Sequence, residues 1–142
     1  MVILDTDHLG ILQRQSGPEF DRLIKRLRPL AANDRAVSIV SFHEQLSGWQ
    51  AYLQRARTPQ AVVRAYQMFQ QILLDFSKLF VLPYDDAAAN RFEELRSGGV
   101  KRIGAMDLRI AAIALTRGCT LLTRNTVDFE RVPGLLFEDW TM

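Results

Sequence analysis

The chain has 142 residues, 48% apolar and 24% charged, with 18 Lys and Arg against 16 Asp and Glu for a net charge of +2. This profile suits one folded domain with a full core and excludes a disordered tail, a collagen-like chain and a coiled-coil rod. Cys119 is the only cysteine, which excludes a disulfide scaffold, and no uncharged apolar run approaches the roughly 18 residues of a membrane span.

Val2-Ile3-Leu4 is a short apolar run that reads as a buried strand. Thr6-Asp7 supplies cap residues for a helix with Leu9 and Leu12 inward. A second helix is expected from Pro18 to Leu30, with Phe20, Leu23, Ile24 and Leu27 at helical spacing. Asn33-Asp34 is a turn, and Ala36 to Val40 is the next strand. A third helix starts near Ser41 with the stripe Phe42, Leu46, Trp49 and Leu53. Thr58-Pro59 then opens a long helix carrying Val62, Tyr66, Phe69, Leu73 and Phe76, so that the two form a hairpin. Leu79 to Leu82 is a strand. Asp85-Asp86 caps a helix with Ala89, Phe92 and Leu95 that stops at Gly98-Gly99. Residues 105 to 117 form a helix ended by Gly118, Thr120 to Thr123 a strand, and a helical turn follows Asn125. Leu135 to Phe137 is expected as an edge strand. Strands alternating with amphipathic helices specify an α/β layer fold with a mainly parallel sheet.

In such sheets ligands bind beyond the carboxyl ends of the strands. Asp5 follows the first strand, Glu44 the second and Asp128 the fourth in this reading. Asp107 lies in the first turn of its helix, on a face shared with Ile110, Ala111 and Ala114. A carboxylate on a packed face needs a partner, because burying it alone is costly. Clustered carboxylates raise one another's pKa unless a cation neutralises them, and hard oxygen ligands select Mg²⁺ or Mn²⁺ over zinc. Such an ion activates water and stabilises a phosphodiester in transit, so the implied chemistry is metal-assisted hydrolysis of a nucleic-acid backbone.

Structural readings stand beside these. Ser41-x-x-Glu44 fits a capping box, Asn125-x-x-Asp128 a similar arrangement, and Asp7 an N-cap. His8, His43 and Cys119 do not make a zinc set. Neither a G-x-S-x-G elbow nor a phosphate-binding glycine loop is present. The basic set is mostly arginine, with Lys25, Lys78 and Lys101 the only lysines, which suits contact with phosphates. Placing four acids in a metal site raises the charge of the remaining surface from +2 to +6. Arg55, Arg57 and Arg64 surround the hairpin turn, as a solvated face or an RNA-facing patch.

Four segments, Val2 to Asp7, Ser38 to Glu44, Asp107 to Ala112 and Leu122 to Phe129, resemble the signature blocks of PIN domains, in order and at normal spacing. The likeness is nearest to VapC-type toxins of bacterial toxin–antitoxin pairs. It extends to the tail Val132-Pro133-Gly134-Leu135 and Trp140. The resemblance implies a PIN-like three-layer fold over residues 1–142, with the sheet flanked by helices. It also implies an Mg²⁺- or Mn²⁺-dependent endoribonuclease acting on tRNA or ribosomal RNA, held inactive by a cognate antitoxin and commonly a homodimer. The family acids carry over as Asp5, Glu44 and Asp107. Asn125 stands where many PIN domains have aspartate, so Asn125 and Asp128 share the fourth position. Thr6, Ser41 and Thr123 are expected to hydrogen-bond these carboxylates. His43 has no assigned role. A cytoplasmic protein without membrane association is expected, since the N-terminus lacks the basic region of a signal peptide. Two other readings stay open: a PIN-fold nuclease in housekeeping RNA processing or on DNA, and a non-catalytic binding protein of the same fold.

Overall fold

Five short apolar runs pair into one sheet in a computed structural model that describes residues 1–142. The strands are β1 (Val2–Leu4), β2 (Arg35–Ser38), β3 (Phe80–Leu82), β4 (Thr120–Leu122) and β5 (Phe137–Glu138). Their order is β3-β2-β1-β4-β5, and all four pairings are parallel. The sheet is therefore parallel throughout rather than mainly so. Parallel neighbours require crossovers, which the helices supply on both faces.

Alternation along the strands sorts the core into two layers. Ile3, Ala36, Leu82 and Leu121 face one side and pack with Phe92, Leu95, Leu108, Ile110, Ala111 and Ala114 of α5 (Asp86–Ser97) and α6 (Ala105–Arg117). Val2, Leu4, Val37 and Leu122 face the other side. There they meet Leu9 and Ile11 of α1 (Thr6–Arg14), Leu23 and Leu27 of α2 (Pro18–Leu27), and Ile72 and Phe76 of α4 (Pro59–Ser77). The result is the three-layer α/β arrangement expected from the sequence. No helix is long and apolar enough to cross a membrane.

Several boundaries shift, two of them for a capping reason. Asp5, not Thr6 or Asp7, is the N-cap of α1, accepting from the His8 amide at 3.0 Å. The second strand stops at Ser38, whose hydroxyl accepts from the Ser41 amide at 3.1 Å and starts α3 (Ile39–Arg55) three residues early. The Ser41-x-x-Glu44 capping box therefore does not form, and Glu44 moves into the second turn of α3. Helix α2 ends at Leu27 rather than Leu30, and β4 at Leu122 rather than Thr123. The caps at Thr58 and Asp85 and the left-handed Gly118 that closes α6 are as predicted.

Helix α4 is the largest departure in packing. Its inward line is Ala65, Ile72 and Phe76, whereas Val62, Tyr66 and Leu73 of the expected stripe are exposed, Tyr66 at 59% and Leu73 at 63%. As the outer helix of the α3–α4 hairpin, α4 offers the core only a narrow strip, and its apolar residues outnumber the inward positions.

Candidate metal and active site

Five elements deliver carboxylates to the carboxyl edge of the sheet. Asp5 leaves β1, and its amide donates to the Leu122 carbonyl at the matching end of β4 at 3.0 Å. Asp7 occupies the second position of α1, where the helix N-terminus favours an anion. Glu44 projects from α3, and Asp107 from the first turn of α6, which begins at Gly104 without a side-chain cap. Asp128 lies in α7 (Thr126–Phe129), after β4. Small residues of α6, including the fully buried Ala111, Ala112 and Ala114, let that helix pack closely against its neighbours.

The charges of these groups act on one another. Asp5 is 6% exposed, and burial pushes its pKa from 3.8 up to about 6, with hydrogen bonds from His8 and Thr123 working the other way. Burial also raises Glu44, opposed by its hydrogen bond from Thr6, and the Asp107 charge raises it further. Asp107 is raised by burial and by the charges of Asp128 and Asp7, while Asn125 partly compensates. Asp7 runs the opposite way: burial raises it, but hydrogen bonds with His8 and Asp5 outweigh that and hold it below the usual range.

The supporting polar groups divide in two. Thr6 Oγ1 donates to Glu44 Oε1 at 3.1 Å, as expected, and lies 3.2 Å from Ser41 Oγ. Ser41 therefore reaches the site through Thr6 rather than by contacting a carboxylate. Thr123 is buried, lowers the Asp5 pKa, and accepts from the Asn125 amide at 3.0 Å. Asn125 Nδ2 donates to Asp128 Oδ2 at 2.9 Å, and Arg131 Nη1 donates to Asp128 Oδ1 at 3.2 Å. Asp128 is thus partly neutralised, and the Asn125 side chain is turned to it instead of capping α7. His43 is exposed on α3, next to Glu44 in sequence.

Two residues of this cluster were missed from sequence: Asp7, read only as a cap, and His8. One ligand atom each from Asp5, Asp7 and His8 lie within 4.8 Å of one another. The His8 ring is fully buried, with Nδ1 2.8 Å from Asp7 Oδ1 and Nε2 accepting from the Trp140 amide at 3.2 Å. Against burial, the hydrogen bonds and charges of Asp5 and Asp7 pull its pKa up to about 9, whereas the Trp140 N–H aimed at Nε2 favours the neutral ring and, on geometry, prevails. The only available signal for Asp7 was its spacing: an acid two residues after Asp5 at a strand-to-helix junction.

The basic residues singled out from sequence lie apart from this cleft. Arg55 and Arg57 are exposed at the hairpin turn, and Arg64 stands 5.5 Å over the Trp49 ring.

A parallel three-layer sheet with acids at successive strand ends defines a class, and the PIN domain family model matches residues 2–135: the chain belongs to the PIN domain family. Among named relatives, it is similar to the ribonuclease VapC1 of Haemophilus influenzae strain R2866, with 30% identity over 126 residues covering 84% of each chain. It is also similar to the tRNA(fMet)-specific endonuclease VapC of Shigella flexneri, with 41% identity over 68 residues, or 46% of this chain and 52% of that protein. The match thus spans about half the length of that relative and of its Salmonella counterpart. In three dimensions the chain resembles the DNA-bound VapBC of Salmonella typhimurium, with 25% identity, 99% coverage of both chains and a TM-score of 0.75. VapBC-1 of nontypeable Haemophilus influenzae shares the fold at 23% identity, full coverage and a TM-score of 0.76.

Proposed function

We propose that this chain, as one PIN domain over residues 1–142, is a divalent-metal-dependent endoribonuclease and the toxin of a VapBC-type pair. The observation that carries the reading is the convergence of Asp5, Asp7, Glu44, Asp107 and Asp128 on one cleft at the carboxyl edge of the sheet. There Asp5, Glu44 and Asp107 are all held above their ordinary pKa. A cluster in that condition favours a cation. Its donors are oxygens, both nitrogens of His8 are engaged, and Cys119 lies at the opposite end of β4. That donor set fits Mg²⁺ or Mn²⁺ and not a soft metal.

Asp5, Glu44 and Asp107 would hold the ion, with Asp7, Asn125 and Asp128 at its margin. When bound, it supplies positive charge to the phosphodiester and lowers the pKa of a water. The chain's own contribution is orientation. Thr6 fixes the Glu44 carboxylate, the His8 amide fixes Asp5, and Asn125 with Arg131 fixes Asp128. Catalysis of this kind depends on such preorganisation, since little rearrangement is then needed as charge develops.

The substrate reading, a structured RNA such as tRNA or ribosomal RNA, rests on the named relatives and on the exposed Arg55 and Arg57 beside Arg64. Exposed Val62, Tyr66 and Leu73 on α4 suit a two-fold contact between copies. Two apolar clefts beside α4, one lined by Leu9, Leu12, Phe20 and Ile24 and the other by Leu46, Leu53 and Phe69, suit an antitoxin segment. A cytoplasmic location goes with this role. The test is expression in a bacterial host. The wild-type chain arrests growth, a cognate antitoxin relieves the arrest, and Glu44→Gln does not arrest growth. Normal growth with abundant folded wild-type protein would contradict the toxin reading.

A further inference from the structure

The most deeply buried titratable side chain near the cleft is His8, at 0% exposure, and the roles above leave it unused. Its two ring nitrogens point to different parts of the molecule. Nδ1 is 2.8 Å from Asp7 Oδ1 and 3.5 Å from Asp5 Oδ1. Nε2 accepts the Trp140 amide at 3.2 Å, with Asp139 Oδ1 at 3.6 Å. Because the Trp140 N–H is aimed at Nε2, the neutral ring has its hydrogen on Nδ1, facing the carboxylates.

The segment on the far side of the ring is itself anchored. The Trp140 indole N–H donates to Glu138 Oε2 at 2.7 Å, and the Arg26 guanidinium lies 4.2 Å over the indole while pairing with Glu138 at 2.9 Å. Arg22 donates to the Thr141 carbonyl. The imidazole is thus held from behind by a C-terminal segment fastened to α2, and it presents one N–H to the acidic pair.

We propose that His8 is a positioning residue for the metal site. Its Nδ1–H holds Asp7 in ligand orientation beside Asp5, and its Nε2 couples that orientation to the C-terminal segment 138–141. This rests on the metal-site reading above. His8 is not itself a ligand, since both of its nitrogens are committed. Removing a group that orients a ligand typically costs ten- to a hundredfold in metal affinity.

Two substitutions separate the two ends of the ring. In His8→Asn the amide nitrogen can stand near Nδ1 and still donate to Asp7, while Trp140 loses its acceptor. In His8→Gln the amide reaches the Nε2 position and can still accept from Trp140, while Asp7 loses its donor. Mn²⁺ affinity is measured by titration calorimetry on the full chain, and Trp140 amide exchange by NMR. His8→Gln should bind Mn²⁺ about ten- to a hundredfold more weakly with Trp140 still protected. His8→Asn should bind close to wild type with Trp140 exchanging faster. Normal Mn²⁺ binding by His8→Gln, or equal loss of affinity in both variants, overturns the proposal. The wild type supplies a check that needs no variant: saturating Mg²⁺ should shift the Trp140 amide resonance, and an unmoved resonance also overturns it. If wild type binds no Mn²⁺, the metal-site reading itself fails. If Asp107→Asn abolishes binding and His8→Gln does not, only the role of His8 fails.

Discussion

Replacing Asp5 by Asn should make the metal-free protein more stable and abolish its further stabilisation by metal. The reasoning starts from burial. Asp5 is 6% exposed, and its carboxyl is raised from 3.8 to about 6. A folded-state pKa above the unfolded value means that this group contributes its full stability below about pH 4 and loses it as pH rises to about 6. At pH 7.5 the ionised Asp5 therefore costs at most about 3 kcal/mol, at roughly 1.4 kcal/mol per pKa unit. Asn caps a helix as well as Asp, so the bond to the His8 amide survives the substitution. His8 loses one of its two anionic partners, so the net gain is smaller, about 1–3 kcal/mol. For a chain of this length that is roughly 3–10 °C in Tm. Wild type with Mn²⁺ at a hundred times its Kd should gain about 2.7 kcal/mol, and Asp5→Asn nothing. The assay is thermal unfolding of both proteins at pH 7.5 and pH 3.5, with EDTA and with Mn²⁺. The advantage of the variant should vanish at pH 3.5, where wild-type Asp5 is already neutral. A variant less stable than wild type at pH 7.5 in EDTA, or one that Mn²⁺ still stabilises, would refute the reasoning.

Metal affinity should rise with pH through about 6 as Asp5 gives up its proton, up to tenfold per pH unit below that value, as read by calorimetry at fixed ionic strength. A flat profile from pH 5 to 7.5 would exclude Asp5 as a ligand. Reversing Arg55, Arg57 and Arg64 to Glu should weaken RNA binding by catalytically dead protein and flatten its salt dependence, leaving Mn²⁺ affinity unchanged. Binding equal to the parent would make the patch a solvated face. Tyr66→Ser with Leu73→Ser should lower the mass of the protein in solution from dimer to monomer, by light scattering, without loss of Tm. Both side chains are exposed within one copy, so a fall in Tm of the monomer would mean that they pack inward instead.

The layer order was readable because strand runs such as Val2-Ile3-Leu4 carry no polar residue and the helices between them keep a regular apolar spacing. Caps were readable where a following proline marked the first helical position, as at Thr58. They were misread where two polar residues competed. Ser38 and Ser41 could each open α3, and Ser38 prevails because it ends the strand with its hydroxyl free to accept the Ser41 amide. The stripe on α4 was displaced because periodicity reports apolar residues, not which line of them faces inward, and Ala65 on the inward line is too small to stand out. The strand-end rule pointed to Asp5, Glu44 and Asp128, the apolar helix face pointed to Asp107, and Asp7 was read only as a cap. One feature lay beyond local sequence: the bond between His8 and Trp140, 132 positions apart.

The central claim is that the carboxylate cleft hydrolyses RNA with a divalent ion. The measurement that tests it most directly is cleavage of total tRNA by the purified chain, with Mg²⁺ or Mn²⁺, with excess EDTA, and with Asp107→Asn in place of wild type. The account predicts discrete cleavage products from wild type with metal only, and none from the folded variant. Cleavage that persists in EDTA, or in Asp107→Asn, would contradict it.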